Sequence, residues 1–193
     1  MTGNNYNNYK KGFTVVELLV VIAVIGILSL VIIPSYKKAK DRLALERSAV
    51  QLAQYIAKVR EMALSSQECA PCGGSFPPGG YGIYLKKVPA SPPQNTYILF
   101  ADVFGDDGRY NPSRDIMIEQ ITLESNVIIR DLIRNHVFVS FKPPDPTVRL
   151  IGSGSVSGGG TSYSSVTITI ALKDDLTKQK TITVNAVGLI DIN

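Results

Sequence analysis

The chain has 193 residues, 45% of them hydrophobic and 19% charged, with a formal net charge of +4. That gives room for one ordinary domain with an appendage, at a charge content below the roughly 25% usual in soluble domains. One His and two Cys cannot complete a zinc site alone and leave little for His-based catalysis, and so small and scattered a charge does not mark a dedicated nucleic-acid binder.

The mean hydropathy of +0.11 is concentrated at one place: residues 13–33 read FTVVELLVVIAVIGILSLVII, while the rest has the balance of a water-soluble domain. At about 1.5 Å per residue the run is long enough to cross a hydrocarbon core of about 30 Å. It exceeds the roughly 7–15 residues of a secretory signal core, and no small-x-small cleavage site follows it, so it reads as an uncleaved anchor. Lys10 and Lys11 before it favour a cytoplasmic N-terminus, whereas Lys37, Lys38, Lys40 and Arg42 after it argue the opposite. Charge alone leaves the orientation open. Glu17 sits one turn into the run, where an ionised carboxylate costs about 2.5–3.5 kcal/mol and needs a partner, and the segment offers no Lys, Arg or His. Pro34 ends the run and would kink a helix continuing past it.

The stretch Lys10-Lys11-Gly12-Phe13-Thr14-Val15-Val16-Glu17-Leu18-Leu19-Val20-Val21 resembles the class III signal of type IV prepilins and type II secretion pseudopilins. That family has a short basic leader ending in Gly, then Phe, then Glu at the fifth mature position, then an apolar helix. The resemblance implies that a prepilin peptidase cuts between Gly12 and Phe13 on the cytoplasmic side and methylates the new amine of Phe13. It gives Glu17 a role in assembly and places Pro34 where many pilins carry a helix-kinking proline. Loss of Lys10 and Lys11 with the leader takes the side-chain charge from +4 to +2.

Residues 35–66 follow as an amphipathic helix. Leu45, Ala49, Leu52, Ile56, Val59 and Ala63 form one stripe, with Arg47, Gln54, Lys58 and Glu61 on other faces and no Gly or Pro between. Joined to the anchor, this predicts one helix of about 50 residues, near 75–80 Å long. Strands are predicted at 81–88 and 96–103, separated by a turn at Pro89, Pro92 and Pro93, then at 116–123, 127–133, 136–141, 166–172, 180–184 and 187–192. Val137, Val139 and Phe141 share one face of their strand, which turns His136 to solvent; 152–165, rich in Gly and Ser, reads as a flexible loop.

This order is also similar to one branch of the family, the GspH/FimT-type minor pseudopilins and minor pilins. The carriers are Val59–Ala63 (VREMA), Tyr97-Ile98-Leu99-Phe100-Ala101-Asp102 before an Asp/Gly loop, Val139-Ser140-Phe141 before a proline-rich turn, and the ending from Ile182 to Ile190. The implied fold is α+β and pilin-like: one long N-terminal helix, membrane-spanning in its first half, packed on a predominantly antiparallel sheet. The implied parts are a leader 1–12, a transmembrane and filament-core helix 13–34, an amphipathic helix 35–66 and a β-rich head 67–193.

Three constellations in the head carry two readings each. Cys69-Ala70-Pro71-Cys72 has the spacing of a redox site or half a zinc site, but it follows a helix and leads into Gly73-Gly74. In an exported head it reads as a small disulfide loop, with free thiols the alternative. Asp102, Asp106, Asp107, Asn111 and Asp115 crowd one loop with oxygen ligands that calcium prefers; the EF-hand pattern fails, and Asp and Gly are also turn formers. His136 is one strand residue without a nucleophile motif near it. No cofactor site and no catalytic constellation is legible.

The expected function is therefore a structural subunit, a minor pilin or pseudopilin of a type IV pilus or type II secretion pseudopilus. Its expected partners are the prepilin peptidase, the inner membrane before assembly, and other pilins in a helical filament. The alternative is DNA capture during transformation, as in some FimT-type minor pilins. That reading wants basic residues near the C-terminus, where this chain has Gly188-Leu189-Ile190-Asp191-Ile192-Asn193.

Overall fold

The computed structural model describes residues 12–87, 94–142, 147–156 and 158–193, except for the side chains of 30–35 and 147. The leader through Lys11, the turn at Pro89, Pro92 and Pro93, and the Pro34 side chain with its expected kink lie outside the described residues. The chain divides into two units, Met1–Lys40 and Asp41–Asn193.

One helix, α1 (Val15–Leu64), runs through both units. In the first unit its apolar side chains stand in the open: Val15 is 81% exposed, Leu18 60% and Ile27 66%. Among the described residues no helix is long and apolar enough to cross a membrane; the end of the apolar run, 30–33, falls where side chains are not described.

In the second unit α1 buries the stripe that its spacing predicts. Leu45, Ala49, Leu52, Ile56, Val59 and Ala63 are all buried, and Arg47, Gln54, Lys58 and Glu61 are exposed. The helix stops by a Schellman arrangement, in which the N–H of Gln67 reaches the carbonyl of Met62 (3.0 Å) and the N–H of Ser66 that of Ala63 (3.1 Å). Ser66 takes the left-handed conformation this ending requires, at φ 46°.

Among the described residues the head carries ten strands, all paired antiparallel. β1 (Gly80–Lys86), β2 (Thr96–Asp102), β3 (Ile116–Thr122), β5 (His136–Lys142), β6 (Thr147–Ser153) and β7 (Gly160–Ser162) form one sheet in the order β3-β2-β1-β5-β6-β7. β4 (Val127–Leu132), β8 (Ser165–Leu172), β9 (Gln179–Asn185) and β10 (Ile190–Ile192) form a second, in the order β10-β9-β8-β4. The α1 stripe shares one core with the inward residues of both sheets, among them Ile83, Leu99, Val139, Ile129, Ile168 and Ile182. This is the α+β architecture expected, a helix packed on a mostly antiparallel sheet.

Two features depart from the expectation. The first is β6, which sequence left unassigned, and β7, which lies inside the predicted flexible loop. The β7 backbone pairs with β6 at Ile151↔Ser162 and Ser153↔Gly160, a contact that needs no apolar side chain. The loop between them is tied down by the Ser153 hydroxyl, which donates to the carbonyl of Ser155 at 2.6 Å and lies 3.1 Å from that of Gly159.

The second is burial of the larger sheet on both faces. The outward residues Tyr84, Ile98, Phe100, Phe138 and Ile151 form a second cluster that Tyr110, from the loop after β2, covers. His136 belongs here and is buried, not solvated. Its ring stacks on Tyr84 at 5.8 Å, and its Nδ1 shares a 2.8 Å hydrogen bond with the Tyr84 hydroxyl. Burial, then the Lys86 charge, hold its pKa below the ordinary histidine value. Gly82 makes this face possible, since a Cβ there would come within 2.5 Å of the Phe100 ring and 3.0 Å of Ser140.

Candidate functional site

Gly12, Phe13 and Thr14 precede the helix, and Thr14 is its N-cap. Thr14 donates its backbone N–H (2.8 Å) and its hydroxyl (2.9 Å) to Glu17 Oε2, and the Glu17 N–H donates back to Thr14 Oγ1 (3.2 Å). The first helical bond, from Leu18 N–H to the Thr14 carbonyl, closes at 3.2 Å. This is a capping box, a Thr followed three residues later by Glu, and it satisfies amides that the helix start would otherwise leave open. Glu17 therefore has a local partner in the Thr14 amide and hydroxyl. The Thr-x-x-Glu spacing before an apolar run was the available signal.

Phe13 is 87% exposed. A Cβ on Gly12 would meet nothing within 4 Å, so the described fold places no demand for glycine there. Any such demand has to come from a molecule that grips this segment.

The sequence matches the prokaryotic N-terminal methylation motif over residues 7–33, a span that holds Gly12, Phe13, Thr14 and Glu17. The N-terminal segment thus carries the signal that this motif describes. Among curated proteins it resembles a type IV major fimbrial protein, FimA, of Dichelobacter nodosus, at 33% identity over 63 residues; the match covers 33% of this chain and 40% of that relative's length. No solved structure matches it significantly.

The remaining candidate residues lie in the head, and the structure gives the acidic ones separate tasks. Asp106 pairs with Lys142 and with Arg149 (2.9 Å), which hold its carboxyl below the ordinary carboxylate range. Asp107 pairs with Arg109 at 2.7 Å. Asp115 accepts the N–H groups of Val103 (3.2 Å), Phe104 (3.3 Å) and Asn111 (2.7 Å), while burial pushes its pKa up. Asn111 Oδ1 in turn accepts the Ser113 N–H at 3.1 Å. Asp102 is wholly buried, accepts the Gly108 N–H at 2.8 Å through Oδ2, and has no partner for Oδ1. Among the described residues no three His, Cys, Asp or Glu side chains are placed to hold a metal ion together. Apart from Asp102 Oδ1, the carboxylates of the loop answer amides and cations of their own unit.

Arg109 also donates to the carbonyl of Gly158. That bond ties the acidic loop to the β6–β7 loop beside the aromatic cluster. Cys69 and Cys72 form a disulfide across a short 3-10 turn, Ala70–Cys72. The ring leads into Gly73 and Gly74, both at positive φ. At the C-terminal end the β9–β10 turn exposes Val187 (79%) and Leu189 (66%), and Asp191 accepts a hydrogen bond from Asn193.

Proposed function

We propose that the chain is a filament subunit of the GspH/FimT-type minor pilins or pseudopilins. In this reading a prepilin peptidase cuts between Gly12 and Phe13 and methylates the Phe13 amine. Residues 13–33 then hold the subunit in the inner membrane, with the head exported. The subunit finally joins a pilus or secretion pseudopilus through the exposed apolar half of α1, with Glu17 facing the Phe13 amine of a neighbour.

One observation carries the proposal: the methylation-motif match falls on a capped helix start whose described apolar side chains are exposed. Apolar surface of this extent demands lipid or another helix. Monomethylation leaves the amine charged, so the pairing with Glu17 survives processing. Between chains in low dielectric, that attraction is far stronger than at an aqueous surface. The head offers structural networks, and the reading gives the chain no catalytic role.

The test is the intact mass of native protein from cells with and without the peptidase. A mass beginning at N-methylated Phe13, lost in peptidase-null cells, is the expected result. Met1 or Thr2 at the N-terminus in competent cells would remove the proposal.

A further inference from the structure

Just beyond the apolar run, α1 carries Tyr36, Lys37, Lys38 and Lys40, all exposed, Tyr36 at 71%. Successive helix positions turn by about 100°, so the three lysines and the tyrosine fan over about half the circumference. Counting from Ile33, their Cα atoms stand about 5–10 Å further along the axis, within the headgroup layer when the run ends at the hydrocarbon boundary. Glu17 is the one acid between residues 12 and 40, more than five turns away. None of the three lysines has an ion-pair partner among the described residues. Asp41, on the next turn, accepts a hydrogen bond from Asn126 instead.

We infer that Tyr36, Lys37, Lys38 and Lys40 form a collar that binds the phosphates of anionic lipid headgroups on the side of the membrane that faces the head. Lysine stems lie along the apolar surface while their ammonium groups reach the phosphate plane, and the tyrosine ring takes the interfacial level it favours. The collar also answers the charge conflict of the sequence. Positive residues on the exported side oppose insertion, and here they gain a partner of opposite charge once across. The inference rests on the membrane-anchored reading above.

The experiment uses the full leader-cleaved chain in mild detergent with equimolar phosphatidylglycerol and phosphatidylcholine, bound lipids being counted by native mass spectrometry. Phosphatidylglycerol is expected to be enriched about fivefold per bound lipid, since a single headgroup held by one of the lysines gains about that factor. The enrichment should fall to parity in the Lys37→Gln/Lys38→Gln/Lys40→Gln variant and in about 0.5 M salt, where the screening length shrinks to a few ångströms. It should survive about 10 mM inorganic phosphate. Parity in the wild type, undiminished enrichment in the triple variant, or displacement by free phosphate overturns the collar. Alkaline extraction of cell membranes separates the two ideas. A wild-type chain released to the supernatant removes the membrane reading and the collar with it; a pelleted chain showing parity removes the collar alone.

Discussion

Replacing Asp102 with Asn should stabilise the head at pH 8 and confer no such advantage at pH 4. Asp102 closes β2 with its side chain wholly buried, its Oδ2 accepting the Gly108 N–H at 2.8 Å and its Oδ1 facing no donor. Burial, with the charges of Asp115, Asp107 and Asp106 added and the Gly108 bond opposing, pushes its pKa from 3.8 to about 6. The folded state thus prefers the neutral acid. Its favourable contribution is complete below pH 3.8 and is lost as pH rises through about 6. Two pKa units correspond to about 3 kcal/mol. Asn keeps an acceptor for the Gly108 N–H and removes the charge, but it places an amide donor where Oδ1 stood, at a cost of about 1–2 kcal/mol. The net expectation is a gain of about 1–2 kcal/mol at pH 8, or about 2–8 °C in the melting temperature of a head this size. At pH 4 the gain should vanish or reverse. Thermal unfolding of the full chain in detergent, followed by near-ultraviolet circular dichroism at both pH values, measures it. A wild-type-to-variant difference that does not change with pH would refute the reasoning, whatever its size, because the donor penalty is common to both conditions.

Gly82→Ala should destabilise the head by about 1–3 kcal/mol, since its Cβ would stand 2.5 Å from the Phe100 ring; Phe100→Leu in the same chain should recover part of the loss in a denaturant titration. Glu17→Ala and Glu17→Gln should remain membrane-inserted yet enter filaments poorly, with Glu17→Asp intermediate, as read by blotting sheared filaments; undiminished incorporation of the Ala variant would show the carboxylate to be dispensable. Thr14→Val removes the hydroxyl that binds Glu17 and should cost about 1 kcal/mol of helix-start stability, with Thr14→Ser retaining it. Cys69 and Cys72 should resist alkylation in exported protein until reductant is added, and reducing so short a loop should cost about 2 kcal/mol.

The buried stripe of α1 was legible because one side of that helix faces water, so apolar and polar positions separate along the chain. The same contrast located the inward residues of β5. It failed at the outward residues of β5, because their cover comes from Tyr110 and from a bond between Arg109 and Gly158, far apart in sequence. A local pattern cannot report a lid supplied from elsewhere, which is why His136 reads as solvated and is buried. β7 was hidden for another reason: Gly160 to Ser162 pair through backbone alone, and composition is silent about that. At the N-terminal site the residues were legible, and Thr14 adds a local partner for Glu17 within the same turn.

The position of that cap bears on processing. Gly12 and Phe13 lie ahead of it in non-helical backbone, and the first helical turn begins beyond them. In the proposed reading, a peptidase cutting between Gly12 and Phe13 would meet non-helical backbone. That cut would fall ahead of the first helical hydrogen bond, from the Leu18 N–H to the Thr14 carbonyl. Maturation of this kind would change charge ahead of the cap and leave the Thr14–Glu17 hydrogen bonds in place.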